Sequence, residues 1–137
     1  MRFVKVSQDE IAKIRNLYEG VMSYASHGLF YREGLFLGEE MAKIAEKTPD
    51  EFIHVISNVL VGRGWVDSIS FENDRIIVKG CIEVSEDDDT GLETCHRLRG
   101  ILSKVLEIFM QQQVKIVETE CETLGAENCM FKIEKEG

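Results

Sequence analysis

The chain has 137 residues, 44% of them apolar, with 25 acidic and 16 basic side chains and a formal charge of −9. That length suits one domain with a real core, so residues 1–137 are expected to form a single unit. The acidic balance argues against nucleic acid as a partner, because a phosphate backbone needs clustered Lys and Arg, and no apolar run approaches the ~18 residues of a membrane span.

Met1 to Ser7 carries two basic residues but no apolar core of a secretory leader, so the chain is expected in the cytosol. Three helix starts share one signature, a Ser or Thr followed three residues later by Glu: Ser7 with Glu10, Thr48 with Glu51, and Thr90 with Glu93. The first predicts a helix from about Gln8 to Ala25, with Ile11, Ile14, Tyr18, Val21, Met22 and Ala25 on its buried side. Ser26 to Gly38 reads as a glycine-punctuated aromatic connection containing Phe30, Tyr31 and Phe36. A short helix over Glu39 to Lys47 and a longer one over Pro49 to Val61 follow, ended by Gly62-Arg63-Gly64. Pro49 suits a first helical position, where its missing N–H costs nothing.

Trp65 to Phe71 and Arg75 to Glu83 read as strands joined by a tight turn at Glu72-Asn73-Asp74. The run Glu83 to Asp89 is the most acidic of the chain and is expected as a solvated loop. Thr90 is expected to cap a regular helix whose apolar stripe holds Leu92, Cys95, Leu98, Leu102, Val105 and Phe109. Val114 to Glu120 and Met130 to Glu134 form a last hairpin. The order α-α-α-β-β-α-β-β predicts an α+β domain, an antiparallel four-stranded sheet packed against helices.

Chemistry concentrates in the last third. A turn at Gly125 would bring Cys121 and Cys129 face to face at the base of the hairpin, and the last long helix supplies Cys95. Two thiolates, a third from a helix and one carboxylate can make a four-coordinate site suited to Zn²⁺. Glu118 is one source of that fourth ligand, although residues three apart on a regular strand face opposite ways unless the strand bulges. Cys81 and His96 are alternatives, Cys81 making an all-sulfur site suited to zinc or an iron–sulfur cluster. Cysteines of a cytosolic chain are reduced, buried or metal-bound before they are disulfide-bonded, and a Cys121–Cys129 bridge is the competing reading.

Glu118-x-x-Cys121-x-x-x-Gly125-x-x-x-Cys129-x-Phe131, preceded by Cys95 and Gly100, resembles the 4-vinyl reductase domain family. That family comprises small-molecule-binding domains related to the sensory domains of phenol- and xylene-responsive activators. It also shares a fold with a subunit of vesicle-tethering complexes. In the aromatic-sensing relatives three cysteines and a glutamate bind structural zinc, so the resemblance implies Cys95, Glu118, Cys121 and Cys129 as ligands here. It further implies a homodimer and a hydrophobic cavity between helices and sheet.

The function this implies is a zinc-containing domain that binds a small apolar, aromatic or hydrocarbon molecule in a sensory or carrier role. Phe30, Tyr31, Phe36 and Trp65 are the candidate ligand-binding residues. Two other readings stand beside it: a protein-interaction scaffold with an unidentified protein partner, and an enzyme or carrier acting on tetrapyrrole intermediates. No catalytic residue is assigned. His27, His54 and His96 form no triad, and Gly28, Gly34 and Gly38 do not make a dinucleotide loop.

Overall fold

A computed structural model describes residues 1–88 and 90–135. Helix α1 (Gln8–Met22) begins at the capping box: Ser7 Oγ accepts from the Glu10 N–H at 3.1 Å and Glu10 Oε1 accepts from the Ser7 N–H at 3.0 Å. Two orphan donors of the first turn are thereby satisfied. The helix stops at Ser23, whose φ of 55° breaks the spiral. Its expected buried face is not buried, since Ile14, Tyr18, Val21 and Met22 are all exposed and Arg15 is the buried residue. Ala25 belongs to the next helix.

Helix α2 (Ala25–Ala45) replaces both the expected glycine-rich connection and the short helix after it. Gly34 and Gly38 serve packing, not turning. A Cβ on Gly34 would lie 2.0 Å from the Arg97 carbonyl oxygen, and one on Gly100 would lie 2.1 Å from that of Tyr31. The helix α4 (His96–Met110) therefore crosses α2 backbone to backbone, and only glycine fits at the crossing.

The Thr48 capping box does not form, as Thr48 makes no side-chain cap bond. Pro49 instead opens a single 3₁₀ turn, Pro49–Glu51, which runs into helix α3 (Phe52–Gly62). The Thr90 box fails more completely. Residues 90–95 are not helical, and α4 starts at His96 with Cys95 as its N-cap residue. Thr90 instead turns back on Asp88, donating to its Oδ1 at 2.6 Å. Asp88 is in turn held in place by Arg15, which draws this stretch into a loop.

Strands β1 (Ser68–Phe71), β2 (Arg75–Lys79), β3 (Val114–Glu120) and β4 (Cys129–Lys135) form one antiparallel sheet in the order β1-β2-β4-β3. The expected α+β class and element order are borne out. Alternation places Ile76, Val78, Val114, Ile116, Cys129 and Phe131 on the buried face. They meet Leu98, Ile101, Leu102 and Val105 of α4, Met41, Ala42 and Ala45 of α2, and Ile56 and Leu60 of α3. β1 starts only at Ser68, and β2 ends at Lys79, short of the expected Glu83, because the chain leaves the sheet at Gly80.

The acidic run is not a solvated loop at its ends. Glu83 is 2% exposed, and the Asp88 side chain pairs with Arg15 at 3.3 Å in a nearly dry setting. Asp89, the last residue of that run, lies outside the described residues.

Candidate metal centre

Three elements converge at one corner of the buried sheet face. β3 contributes Glu118, which continues the inward phase of Val114 and Ile116. The pairing with β4 then slips: Glu118 faces Phe131 and Glu120 faces Met130, leaving Thr119 as an extra residue. This bulge answers the parity objection, because one additional residue turns Cys121 to the side that Glu118 already faces. A 3₁₀ turn, Glu122–Leu124, and Gly125 at φ 94° reverse the chain, and Cys129 opens β4 opposite Val78. Cys95 arrives from the other side at the N-cap of α4.

The outcome is a cluster in which one ligand atom each of Cys95, Glu118, Cys121 and Cys129 lies within 4.8 Å of the other three. Cys95 Sγ and Cys129 Sγ are 3.7 Å apart. The three cysteines are buried, and so is Glu118 Oε2, which has no hydrogen-bond partner although the residue as a whole is half-buried. A buried, unpartnered carboxylate oxygen is costly, and a cation among the three sulfurs would satisfy it. Three thiolates and a carboxylate are a donor set for a tetrahedral divalent ion of the zinc type.

Electrostatics of the four groups point the same way. Hydrogen bonds from Cys129 and Cys95 pull Cys121 far below the ordinary thiol range, so it carries the negative charge of the cluster. Those same bonds push Cys95 and Cys129 well up, since each thiol keeps the proton it donates to Cys121. Burial, and then the Cys121 charge, lift the Glu118 carboxyl to about 9. Four anions cannot share one dry corner unless a cation joins them, and a coordinated metal deprotonates its thiols outright.

Neighbouring groups brace the ligands. The Glu122 N–H donates to Cys129 Sγ at 3.4 Å, and the Thr94 hydroxyl lies 3.8 Å from Cys121 Sγ. The α4 N-terminus, which Cys95 caps by position, is capped chemically by Glu83. Its two carboxylate oxygens accept from the Leu98 N–H at 2.9 Å and the Arg97 N–H at 3.1 Å. Burial nevertheless raises the Glu83 carboxyl to about 7.

Neither alternative fourth ligand joins the cluster. Cys81 is fully buried but outside the group. The His96 ring stacks on His27 with centroids 4.0 Å apart, and burial lowers it to about 3. The competing disulfide is absent, all four cysteines being free. Sequence reasoning missed Glu83, Thr94 and Arg15. Only the helical spacing of Arg15 with Glu19 hints that a charged pair faces inward from α1.

The four aromatic candidates do not converge. Phe30 and Phe36 line a half-open cleft of about 320 Å³ between α1 and α2, with Tyr18, Leu29 and Arg32. Tyr31 lies under the Arg99 guanidinium at 4.3 Å, and Trp65 packs against the core near β1. A second cleft lies at the end of α4, lined by Pro49, Phe52 and Phe109. Both are on the outside of the helices. The expected cavity between helices and sheet is occupied by the core side chains there.

Comparison with known proteins fits this fold. Residues 74–135 match the family model of the V4R domain. Two uncharacterized proteins of Methanocaldococcus jannaschii are similar: MJ0150 at 26% identity over 64% of this chain, and MJ1642 at 27% over 72%. The chain spans 50% and 60% of their respective lengths. Among solved structures, the phenol-responsive sensory domain of the transcription activator PoxR, with phenol, superposes at a TM-score of 0.80. It does so at 14% identity, covering 98% of this chain and 77% of that one. A vinyl-4-reductase family protein from Methanocaldococcus jannaschii superposes at 0.63 with 15% identity, covering 100% and 99%. The resemblance carried by the Cys95, Glu118, Cys121 and Cys129 motif is thus matched by the family model: residues 74–135 are similar to the V4R domain.

Proposed function

We propose that this protein is a small-molecule-binding domain, sensory or carrier in role, whose C-terminal corner is closed by a zinc ion on Cys95, Glu118, Cys121 and Cys129. The observation that carries the metal half is a Glu118 carboxylate oxygen within 4.8 Å of three buried sulfurs, on a side chain whose Oε2 has no hydrogen-bond partner. When bound, zinc supplies a cross-link between α4, β3 and β4. With four protein ligands it leaves no position for substrate, so its role is structural rather than catalytic.

The small-molecule half is supported by the V4R match and by the fold shared with a domain that responds to phenol. Within this chain the cleft beside Phe30 and Phe36 has the character such a ligand needs, apolar walls with a few polar groups at the rim. Titrating zinc-loaded protein with phenols, fatty acids and tetrapyrroles, followed by amide chemical shifts, tests it. Saturable shifts at Leu29, Phe30 and Phe36 are expected for one class; no saturable shift for any class would refute the assignment.

A homodimer is part of the same reading. Ile14, Leu17 and Val21 recur at helical spacing on the exposed side of α1, beside the cleft rather than within it. A second copy presents the same stripe, and two such stripes complement each other across a two-fold axis.

A further inference from the structure

Helix α1 is held to the body in an unusual manner. Its apolar side chains at Ile14, Leu17, Tyr18 and Val21 stay exposed, and the residue it buries is Arg15. Against the rest of its own chain, α1 therefore gains little from hydrophobic burial beyond the edge contact of Tyr18 with Phe30, and polar contacts give the rest. Arg15 Nη1 donates to the Glu83 carbonyl at 3.0 Å, and Nη2 lies 3.3 Å from Asp88 Oδ2. Gln8 donates to the Val84 carbonyl at 2.8 Å. One turn after Arg15, Glu19 pairs with His27 at 2.5 Å. Three of these four grips land on Glu83, Val84 and Asp88, in the loop that the described residues 80–88 and 90–95 belong to.

That loop is also tied to the metal corner. The Ser85 N–H donates to Thr123 Oγ1 at 3.0 Å, and Thr123 shares a 2.7 Å hydroxyl bond with Thr94. Thr94 stands against Cys121 and is followed directly by Cys95. At the other end the Gly80 N–H donates to Glu122 Oε2 at 3.0 Å. A run of discrete hydrogen bonds thus leads from the proposed ligands, through the loop, to Arg15. Helix α1 ends at Ser23, whose φ of 55° interrupts the helix and can serve as its hinge.

We propose that α1 is a strap latched to the metal corner through the 80–95 loop, with Arg15 as the latch. A metal ion that orders Cys95 and Cys121 thereby also sets how firmly α1 is docked. Arg15 is a positioning residue: it touches neither metal nor ligand and acts through Glu83 and Asp88. This rests on the metal reading above. The physical basis is that a segment held by few apolar contacts opens locally at low free energy, so its opening responds to small changes at its anchor.

Hydrogen exchange of the full chain tests it, comparing zinc-loaded with chelator-stripped wild type and with Arg15→Met and Asp88→Asn, both zinc-loaded. Stripping should speed exchange of the α1 amides at least ~10-fold, together with the 80–95 loop. Arg15→Met should do so with zinc stoichiometry and α2–α4 protection unchanged. Asp88→Asn should give a smaller rise in the same helix, and it decides the matter if Arg15→Met does not fold. Zinc-loaded protein whose α1 exchange ignores both stripping and these substitutions would overturn the latch while leaving the metal site standing. Protein that takes up no zinc would overturn both.

Discussion

Glu118 shows how one residue decides the chemistry of the corner. On a regular strand it would face away from Cys121, and only the bulge at Thr119 brings the two together. Cys121 and Cys81 separate ligand from bystander: both are buried thiols, but only Cys121 stands in the cluster. Cys121→Ser should cut metal stoichiometry severalfold and destabilise the fold by several kcal/mol, because structural-metal binding energy is coupled to folding. Cys81→Ser should keep full stoichiometry. Elemental analysis with urea unfolding reads both, and equal metal loss in the two would refute the ligand assignment.

Glu83 makes a second prediction at this scale. Burial raises its carboxyl from 4.5 to about 7, so the folded chain holds that proton more tightly than the unfolded chain. Its contribution to stability is full below 4.5 and is lost as pH rises through about 7. Glutamine cannot titrate. The stability of Glu83→Gln relative to wild type, at equal metal content, should therefore increase steadily across that window. A difference that stays flat with pH would contradict it.

Among the elements, α2 and α4 hold the molecule together, and their crossing depends on Gly34 and Gly100. Gly100→Ala would drive a methyl group into the Tyr31 carbonyl, where backbone must yield, and should cost about 3 kcal/mol. Thermal unfolding of this variant beside Gly28→Ala, which meets nothing within 4 Å, checks the claim. Equal effects would sink it. The same glycines explain where reading the sequence failed. Glycine in a helix carries a propensity penalty, so three in eleven residues, Gly28, Gly34 and Gly38, read locally as a connection. What Gly34 and Gly38 gain comes from α4, more than sixty residues away, and no local pattern records it. The sheet and its hairpins were legible because alternation and turn residues are local. The Thr90 cap misled because Arg15 claims Asp88 from a distant helix, bending the chain away from helix.

For the molecule as a whole, cysteine spacing together with the family resemblance pointed to the cluster of Cys95, Glu118, Cys121 and Cys129, while the exposure of α1 was not legible. The periodic apolar residues of α1 predicted a buried face, and that face is exposed in the single chain. A second copy covering it would reconcile pattern and exposure. Val21→Glu, placed at the 76% exposed centre of the stripe, should shift the chain to monomer in sedimentation without unfolding it. An unchanged sedimentation coefficient would remove α1 from the interface.

If three sulfurs and one carboxylate grip a single divalent ion, stripped protein titrated with Co²⁺ under anaerobic conditions will report it. The expected result is the visible bands of a tetrahedral ion with thiolate-to-cobalt charge transfer, saturating at one equivalent and abolished by zinc. An octahedral spectrum without charge transfer, or no uptake at all, would contradict it.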